Sequence, residues 1–159
     1  MLLIILFLAV IDSTFFSYLK EKPFKASFVE IVKYKEFETQ DTFRGTITRR
    51  GLNITMEITY PSKETYIIKK DTLFIKSQGK ETSYPIEEDA LKLLNFQFLN
   101  DSLNYDLKVN GDTLILRSKN DSLFLVAKLV IQNGIPKAFA IEDEEKILRF
   151  SFKNWKFYE

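Results

Sequence analysis

The sequence predicts a mainly β protein of the α+β type, with a strongly curved antiparallel sheet of about eleven strands forming a half-open barrel. Apolar and polar residues alternate with a period of two through most of the chain after Phe24, as in strands with one buried face. Turn sequences such as Asn110-Gly111-Asp112 and Asn133-Gly134 separate these segments. Apolar residues make up 45% of the chain, which is enough for one core, so we expect one domain.

The first segment is uninterruptedly apolar over residues 2–11. This run fits the apolar part of an export signal and is shorter than the roughly 20 residues of a membrane-spanning helix. We expect a signal peptide over residues 1–13 and a single domain over residues 14–159. A buried N-terminal strand or helix of a cytoplasmic protein is the alternative. Helical spacing of apolar residues predicts a short helix over residues 14–22, which Pro23 ends.

The N-terminal half of the domain reads as five strands. Residues 24–34 form the first, with Glu30 placed on its otherwise apolar face. Gly45, inside a second strand at about residues 42–49, indicates a bulge or a close backbone approach. Residues 52–60 show the clearest alternation, and the short strands 65–69 and 72–77 follow.

Helical spacing replaces the alternation over residues 84–99. Pro85 suits a first helical position, and acidic residues follow it where the helix dipole favours negative charge. The apolar stripe of this predicted lid helix contains Ile86, Ala90, Leu91 and Leu94. Six more strands are predicted at 105–109, 113–119, 123–132, 137–142, 147–153 and 155–158. Because a sheet of this size twists and curls, we expect two or more short helices to lie across its concave face as a lid.

The composition excludes most familiar catalytic sites. The chain has no His and no Cys, so it lacks Ser-His-Asp triads, Cys nucleophiles and the usual zinc ligands. The formal net charge of +1 does not favour nucleic acid binding. The acidic run at 142–145 is typical of a solvated turn. We expect no catalytic residue, metal or cofactor; an enzyme using carboxylates or a Ser-Lys pair is a remaining alternative.

Three segments resemble the periplasmic outer-membrane lipoprotein carrier family, LolA. Residues 24–30, FKASFVE, resemble the family's first strand, an aromatic-x-Ala-x-Phe run. Residues 45–50, GTITRR, resemble its glycine, strand and arginine, although Gly51 stands where the family has proline. Residues 70–74, KDTLF, stand where the family has Asp-Gly-Lys-Thr-Leu-Trp. The lid helix and the C-terminal strands follow in the family's order, so the resemblance covers nearly all of residues 14–159.

The resemblance implies a periplasmic carrier that shields the acyl chains of lipoproteins in an apolar cavity and ferries them from the inner to the outer membrane. It implies acylated lipoproteins as cargo, an inner-membrane lipoprotein-releasing ABC transporter as donor and an outer-membrane lipoprotein acceptor as recipient. It also implies a monomer. The alternative is an envelope sensor or interaction module that binds lipid or peptide with the same half-barrel fold.

The resemblance also assigns candidate site residues. By family position Ile54 and Met56 lie on the lipid-binding face, and the alternation places their neighbours with them. The predicted lipid-binding residues are Phe28, Leu52, Ile54, Met56 and Ile58. In the family an arginine holds the lid closed by donating hydrogen bonds to lid carbonyls. Arg50 is the predicted lid lock here, and Arg49 is the alternative.

Overall fold

The computed structural model describes residues 22–88, 102–119 and 126–159. These residues form β-strands joined by turns. The strands are β1 Phe24–Tyr34, β2 Gln40–Arg50, β3 Asn53–Tyr60, β4 Glu64–Lys69, β5 Thr72–Ser77, β6 Lys80–Pro85, β7 Tyr105–Asn110, β8 Thr113–Ser118, β9 Val126–Gln132, β10 Ile135–Glu142 and β11 Lys146–Phe157.

All eleven strands belong to one antiparallel sheet with the order β6-β5-β4-β3-β2-β1-β11-β10-β9-β8-β7. Strand β1 lies at its centre and pairs with β2 on one side and with β11 on the other. Strands β6 and β7 follow one another in sequence but lie at opposite edges, so the sheet is not closed by pairing. The chain between them therefore links the two edges.

One face of the sheet, here called the inner face, carries nearly all the buried side chains. Residues directly opposite one another on neighbouring strands share a face, and the register places the buried ones together. The buried inner-face residues are Phe24, Ala26, Phe28, Glu30, Val32, Ile47, Arg49, Ile54, Met56, Ile58, Tyr66, Ile68, Leu73, Leu114, Leu116, Ala127, Leu129, Phe139, Ile141, Leu148, Phe150 and Phe152. The predicted alternation thus becomes a single apolar surface.

Gly45 allows β2 and β3 to approach closely, as its position in the sequence predicted. A Cβ atom at this position would lie 2.2 Å from the Glu57 carbonyl oxygen, well inside contact distance. The register shifts here, because Arg44 pairs with Tyr60 while Gly45 pairs with Ile58. Strand β3 thus has one extra residue between these two pairs. Such a β-bulge bends the strand and increases the local twist.

The strand count agrees with the sequence prediction, but two elements differ. Strand β6 was not predicted, because its sequence is polar and its residues are all exposed at the sheet edge. Strand β11 is continuous, whereas the sequence predicted two strands there. Asn154, which has a positive φ of 57°, lies within β11 and does not end it.

Most residues of the two predicted helices lie outside the described part of the chain. The helix over 14–22 and the signal peptide over 1–13 lie outside them, apart from Lys22. The predicted start of the second helix is wrong, because Tyr84 and Pro85 belong to β6. Glu88 alone of the described residues has helical backbone, and residues 89–101 lie outside the described part of the chain. The lid is therefore not supported by the described residues. Among them, no helix is long and apolar enough to span a membrane.

We predict that Gly45→Ala lowers the free energy of unfolding by about 3 kcal/mol, since the added methyl group forces β2 and β3 apart. Urea unfolding followed by circular dichroism measures the change. Thr48→Ala, a control on the outer face of the same strand, is expected to change stability by less than about 1 kcal/mol. Equal stabilities of the two variants would contradict the close approach.

Candidate apolar binding face

The centre of the inner face is a continuous apolar patch across β1 to β4. Ile47 is opposite Met56, and Met56 is opposite Tyr66 on the next strand. Phe28 is opposite Gly45, and Gly45 is opposite Ile58 on the next strand. Because every one of these side chains is buried, the strands present one apolar surface.

Four of the five predicted lipid-binding residues lie on this patch: Phe28, Ile54, Met56 and Ile58 are buried on the inner face. Leu52 does not join them and is 50% exposed. The alternation was extended one residue too far, because Gly51 and Leu52 form the two-residue turn between Arg50 and Asn53. Gly51 has a φ of 60°, as hairpin turns with glycine at the first central position require.

The two candidate arginines point to opposite faces. Arg49 is 1% exposed and lies on the inner face, opposite Phe24 on β1 and Ile54 on β3. Its Nε donates a hydrogen bond to the Gly51 carbonyl oxygen at 2.9 Å, and burial lowers its pKa to about 10. Arg50 is exposed. The structure therefore places Arg49, the alternative, where a residue facing the lid would have to lie; the role of lid lock stays a prediction.

Of the predicted lid residues, only Ile86 is described. It follows β6, is 5% exposed, and its backbone N–H donates to the Asp71 carbonyl oxygen at 2.7 Å. That bond attaches the chain leaving β6 to the turn between β4 and β5. Ala90, Leu91 and Leu94 lie outside the described residues.

An aromatic cluster packs the Arg49 end of the inner face. The Phe24 ring lies 5.0 Å from the Trp155 ring, and Trp155 stacks on Phe157 at 5.9 Å. Trp155 Nε1 donates to the Pro136 carbonyl oxygen at 3.0 Å, which satisfies its polar atom. Packed aromatic side chains therefore cover this end of the inner face.

The opposite end carries a second buried charged residue, Glu30, which is 2% exposed. It is six residues from Phe24 along β1, so it lies about 20 Å from the Arg49 end and forms no ion pair with that arginine. Burial raises the pKa of Glu30 from 4.5 to about 7, and nearby Lys146 offsets part of the rise. The sequence showed Glu30 on the apolar face but not its burial.

A cavity of about 140 Å³ opens beside Glu30. Its lining residues are Glu30, Val32, Tyr34, Phe43, Ile58, Lys146 and Leu148. Ile58 and Val32 belong to the apolar inner face, so the cavity continues the patch at its open end. A larger depression of about 680 Å³ at the β5–β6 hairpin is lined mainly by exposed polar residues such as Lys63 and Lys80, and it is a surface groove away from the inner face.

The apolar surface also extends to both sheet edges. Tyr84 on β6 is opposite Leu73, and Leu107 and Val109 on β7 are opposite Leu116 and Leu114. These three edge side chains are exposed, Val109 by 72%. Sequence reasoning did not select them, although the alternation within 105–109 could have indicated Leu107 and Val109. The face thus remains partly uncovered at its rims.

In the described ranges no group of three or more carboxylate side chains could hold a metal ion. The acidic turn after β10 is organised by Asp143, whose Oδ1 accepts hydrogen bonds from the backbone N–H groups of Glu145 and Lys146 at 2.9 and 2.8 Å. The interpretation of this run as a turn is confirmed for residues 143–145, whereas Glu142 is the last residue of β10. What the inner face offers chemically is apolar area, one buried guanidinium and one buried carboxyl group.

No protein-family model and no curated protein matches the chain. Solved structures similar to it include a DUF1329 family protein from Desulfovibrio piger, with a TM-score of 0.48, 9% identity and coverage of 91% of this chain and 89% of that one. A domain assigned as an outer membrane lipoprotein-sorting protein from Vibrio parahaemolyticus has a TM-score of 0.44 and 8% identity, covering 85% of each chain. LprF from Mycobacterium bovis has a TM-score of 0.39 and 12% identity, covering 87% of this chain and 88% of LprF.

We predict that Glu30 makes stability fall as the pH rises from 4.5 to 7. In this window the folded protein keeps the Glu30 proton that the unfolded chain releases, so the difference grows up to the folded pKa of about 7 and then levels off. Glu30→Gln is expected to remove this loss and to exceed the wild type by about 3 kcal/mol at pH 8.

Urea unfolding at pH 4.5, 6 and 8 measures this difference. Glu57→Gln, the same change at an exposed position on β3, serves as the control and is expected to follow the wild type. Parallel pH profiles of wild type and Glu30→Gln would show that Glu30 titrates normally.

Proposed function

We propose that this protein binds the acyl chains of lipid-modified proteins on its inner face and acts as their carrier in the cell envelope. The observation that carries the proposal is the continuous buried apolar patch of Phe28, Ile54, Met56 and Ile58 on an open sheet. The described residues form one sheet layer, and no second sheet packs on this patch among them. No described strand therefore separates an apolar ligand from this patch.

The energetic need for such a face is large. Each buried CH₂ group contributes about 0.8 kcal/mol, so exposing one long acyl chain to water costs on the order of 10 kcal/mol. A carrier has to cover the acyl chain with a comparable apolar area and later release the chain. The partly exposed apolar rims at Tyr84 and Val109 support a face that opens at its edges.

The carrier role includes a location and partners. We place the protein in the periplasm, between an inner-membrane lipoprotein-releasing ABC transporter and an outer-membrane lipoprotein acceptor. The resemblance to the lipoprotein carrier family in residues 24–30 and 45–50 supports these partners. We assign no catalytic step to the protein, because transfer between binding sites of graded affinity requires none.

Arg49 is the residue that we propose to regulate opening. It is buried at the end of the acyl-binding patch, and a guanidinium has several N–H donors for backbone carbonyls. Arg50, the residue first predicted for this role, is exposed.

An interaction module that binds a peptide at a sheet edge is the second candidate. Among the described strands β7 has one neighbour, β8, and Leu107 and Val109 on β7 are exposed. An extended peptide could pair with such an edge. This candidate predicts a bound peptide without an acyl chain.

We predict that native mass spectrometry of the protein purified from its own envelope fraction detects bound acylated species. Met56→Glu is expected to weaken acyl binding by more than tenfold, because a buried carboxylate opposes an apolar ligand. Asn53→Glu, an exposed position on the same strand, adds the same charge as a control.

Circular dichroism shows whether Met56→Glu keeps the sheet. If it does not, Met56→Leu, which preserves the volume, tests the same position, and it is expected to retain binding. A wild-type protein that carries no acylated species and takes up no fluorescent fatty acid would overturn the carrier proposal.

We predict that Arg49→Leu changes the dissociation rate of a bound acyl ligand at least fivefold, because Arg49, unlike Arg50, is buried on the inner face. Arg50→Leu, its matched neighbour, is expected to stay within twofold of the wild type. Stopped-flow displacement of a fluorescent fatty acid measures both rates. The reverse pattern would restore Arg50 as the lid lock.

A further inference from the structure

The two edges of the sheet differ in their capacity to accept another strand. Strand β6 forms one edge and ends in Pro85, which has no backbone N–H. The Ile86 N–H bonds to the Asp71 carbonyl oxygen, so Pro85 directs its nitrogen away from β5, where a further strand would need a donor. Strand β7 forms the other edge, contains no proline and has β8 as its one neighbour among the described strands. The β7 edge is therefore the better template for pairing with another chain.

The hydrogen bonds of the β7–β8 hairpin fix which backbone groups of β7 face outward. The Lys119 N–H donates to the Asn104 carbonyl oxygen at 2.8 Å, so these residues form a hydrogen-bonded pair just before β7 begins. Hydrogen-bonded and non-hydrogen-bonded pairs alternate along an antiparallel ladder. The N–H and C=O groups of Tyr105, Leu107 and Val109 are therefore directed away from β8 and toward the sheet edge.

The side chains of β7 alternate between an apolar and a charged row. Leu107 and Val109 lie on the inner face, where they are 45% and 72% exposed. Asp106 and Lys108 lie between them in sequence and project from the outer face. The Asp106 side chain is 63% exposed, and its Oδ1 lies 3.1 Å from Lys119 Nζ. Because a carboxylate accepts hydrogen bonds at both oxygens, Asp106 can pair with a second ammonium group.

Strand β7 is complementary to itself when it is reversed about Leu107. Antiparallel pairing of two copies with Leu107 opposite Leu107 places Asp106 of each copy opposite Lys108 of the other, and Tyr105 opposite Val109. We infer that two copies of this protein associate through β7 in this register and form a symmetric dimer with one continuous sheet. The two-fold symmetry uses the same surface on both copies, so association stops at the dimer.

The backbone and the side chains agree on this register. The Leu107–Leu107 and Tyr105–Val109 pairs bring together the outward N–H and C=O groups, and each such pair makes two backbone hydrogen bonds. The Asp106–Lys108 pairs fall on the alternate positions, where side chains lie closer together. Sliding one copy by two residues places Asp106 opposite Asp106, or Lys108 opposite Lys108, and like charges directly opposite are destabilising. The charges therefore select this register.

The expected dimer is weak and reversible. One pair of strands makes an interface of the small, transient class, below about 1,200 Å² of buried surface. Because opposite residues share a face, the pairing joins the inner faces of the two copies side by side at Leu107. The inference departs from the monomer that the resemblance implies. It is independent of the proposed function, since the β7 backbone and the Asp106 and Lys108 charges carry it without an acyl ligand.

Exchanging the charges tests the register. Sedimentation velocity at low ionic strength, where exposed charge pairs are least screened, follows the dimer over a series of protein concentrations. The wild type is expected to shift from monomer to dimer below about 1 mM. Asp106→Lys and Lys108→Asp are each expected to weaken dimerisation about tenfold or more, because like charges then lie opposite one another. An equal mixture of the two variants is expected to associate as the wild type does, because each pair of positions 106 and 108 again joins opposite charges.

Proline substitutions test the edge without changing charge. Leu107→Pro removes an outward N–H and is expected to abolish the dimer, whereas the hydrogen bonds between β7 and β8 do not use that group. Ser83→Pro is the matched control on the β6 edge, where Ser83 also directs its N–H outward, and it is expected to keep the wild-type dimer. Circular dichroism shows whether each variant keeps the sheet. If Asp106→Lys does not, Lys108→Asp and Leu107→Pro decide the question.

Three results would overturn the inference: a wild type that stays monomeric throughout the series, a dimer that persists in Leu107→Pro, and a mixture of folded charge variants that does not associate. A monomer that binds a peptide of another protein along β7 also overturns it, in favour of the peptide-binding candidate. Uptake of a fluorescent fatty acid is measured separately on the same samples. Failure of the dimer therefore leaves the carrier proposal standing.

Discussion

Burial of one apolar face on a single open sheet is the constraint on which the rest of the structure depends. Strand β1 holds this face together, because it pairs with β2 and β11 and so joins the N-terminal and C-terminal halves of the sheet. The bulge at Gly45 brings β3 close to β2 beneath Phe28. Each of these features places apolar side chains from distant parts of the chain on one surface.

The inner face is polar at two points, and these lie at its opposite ends. Arg49 adjoins a closed aromatic cluster around Trp155, whereas Glu30 adjoins an open cavity. Buried charges are costly, so their retention on an apolar face requires a local partner or a function. Arg49 donates to the Gly51 carbonyl oxygen, while the positive charge of Lys146 offsets part of the cost of burying Glu30. The two ends therefore differ in the sign of the buried charge and in the side chains around it.

Which side chains of the apolar patch point inward could largely be predicted from the alternation of apolar and polar residues alone. The inward direction of Phe28, Ile54, Met56 and Ile58 follows from the pleat, since side chains of a strand point to alternate faces. The prediction that Leu52 faces inward is wrong, because alternation holds only within a strand and Leu52 lies in the turn with Gly51. Strand β6 was not predicted, because all its residues are exposed at the sheet edge and it has no apolar face that alternation could show.

The sequence by itself determined the mainly β class of the fold, the position of most strands and the inward direction of Phe28, Ile54, Met56 and Ile58, because these depend on residues two positions apart. Only the tertiary structure decided that β1 pairs with β11, that Arg49 rather than Arg50 faces inward, and that Glu30 is buried beside a cavity. These depend on the register between segments far apart in the chain, where a shift of one residue exchanges the two faces. Local pattern carries no information about that register.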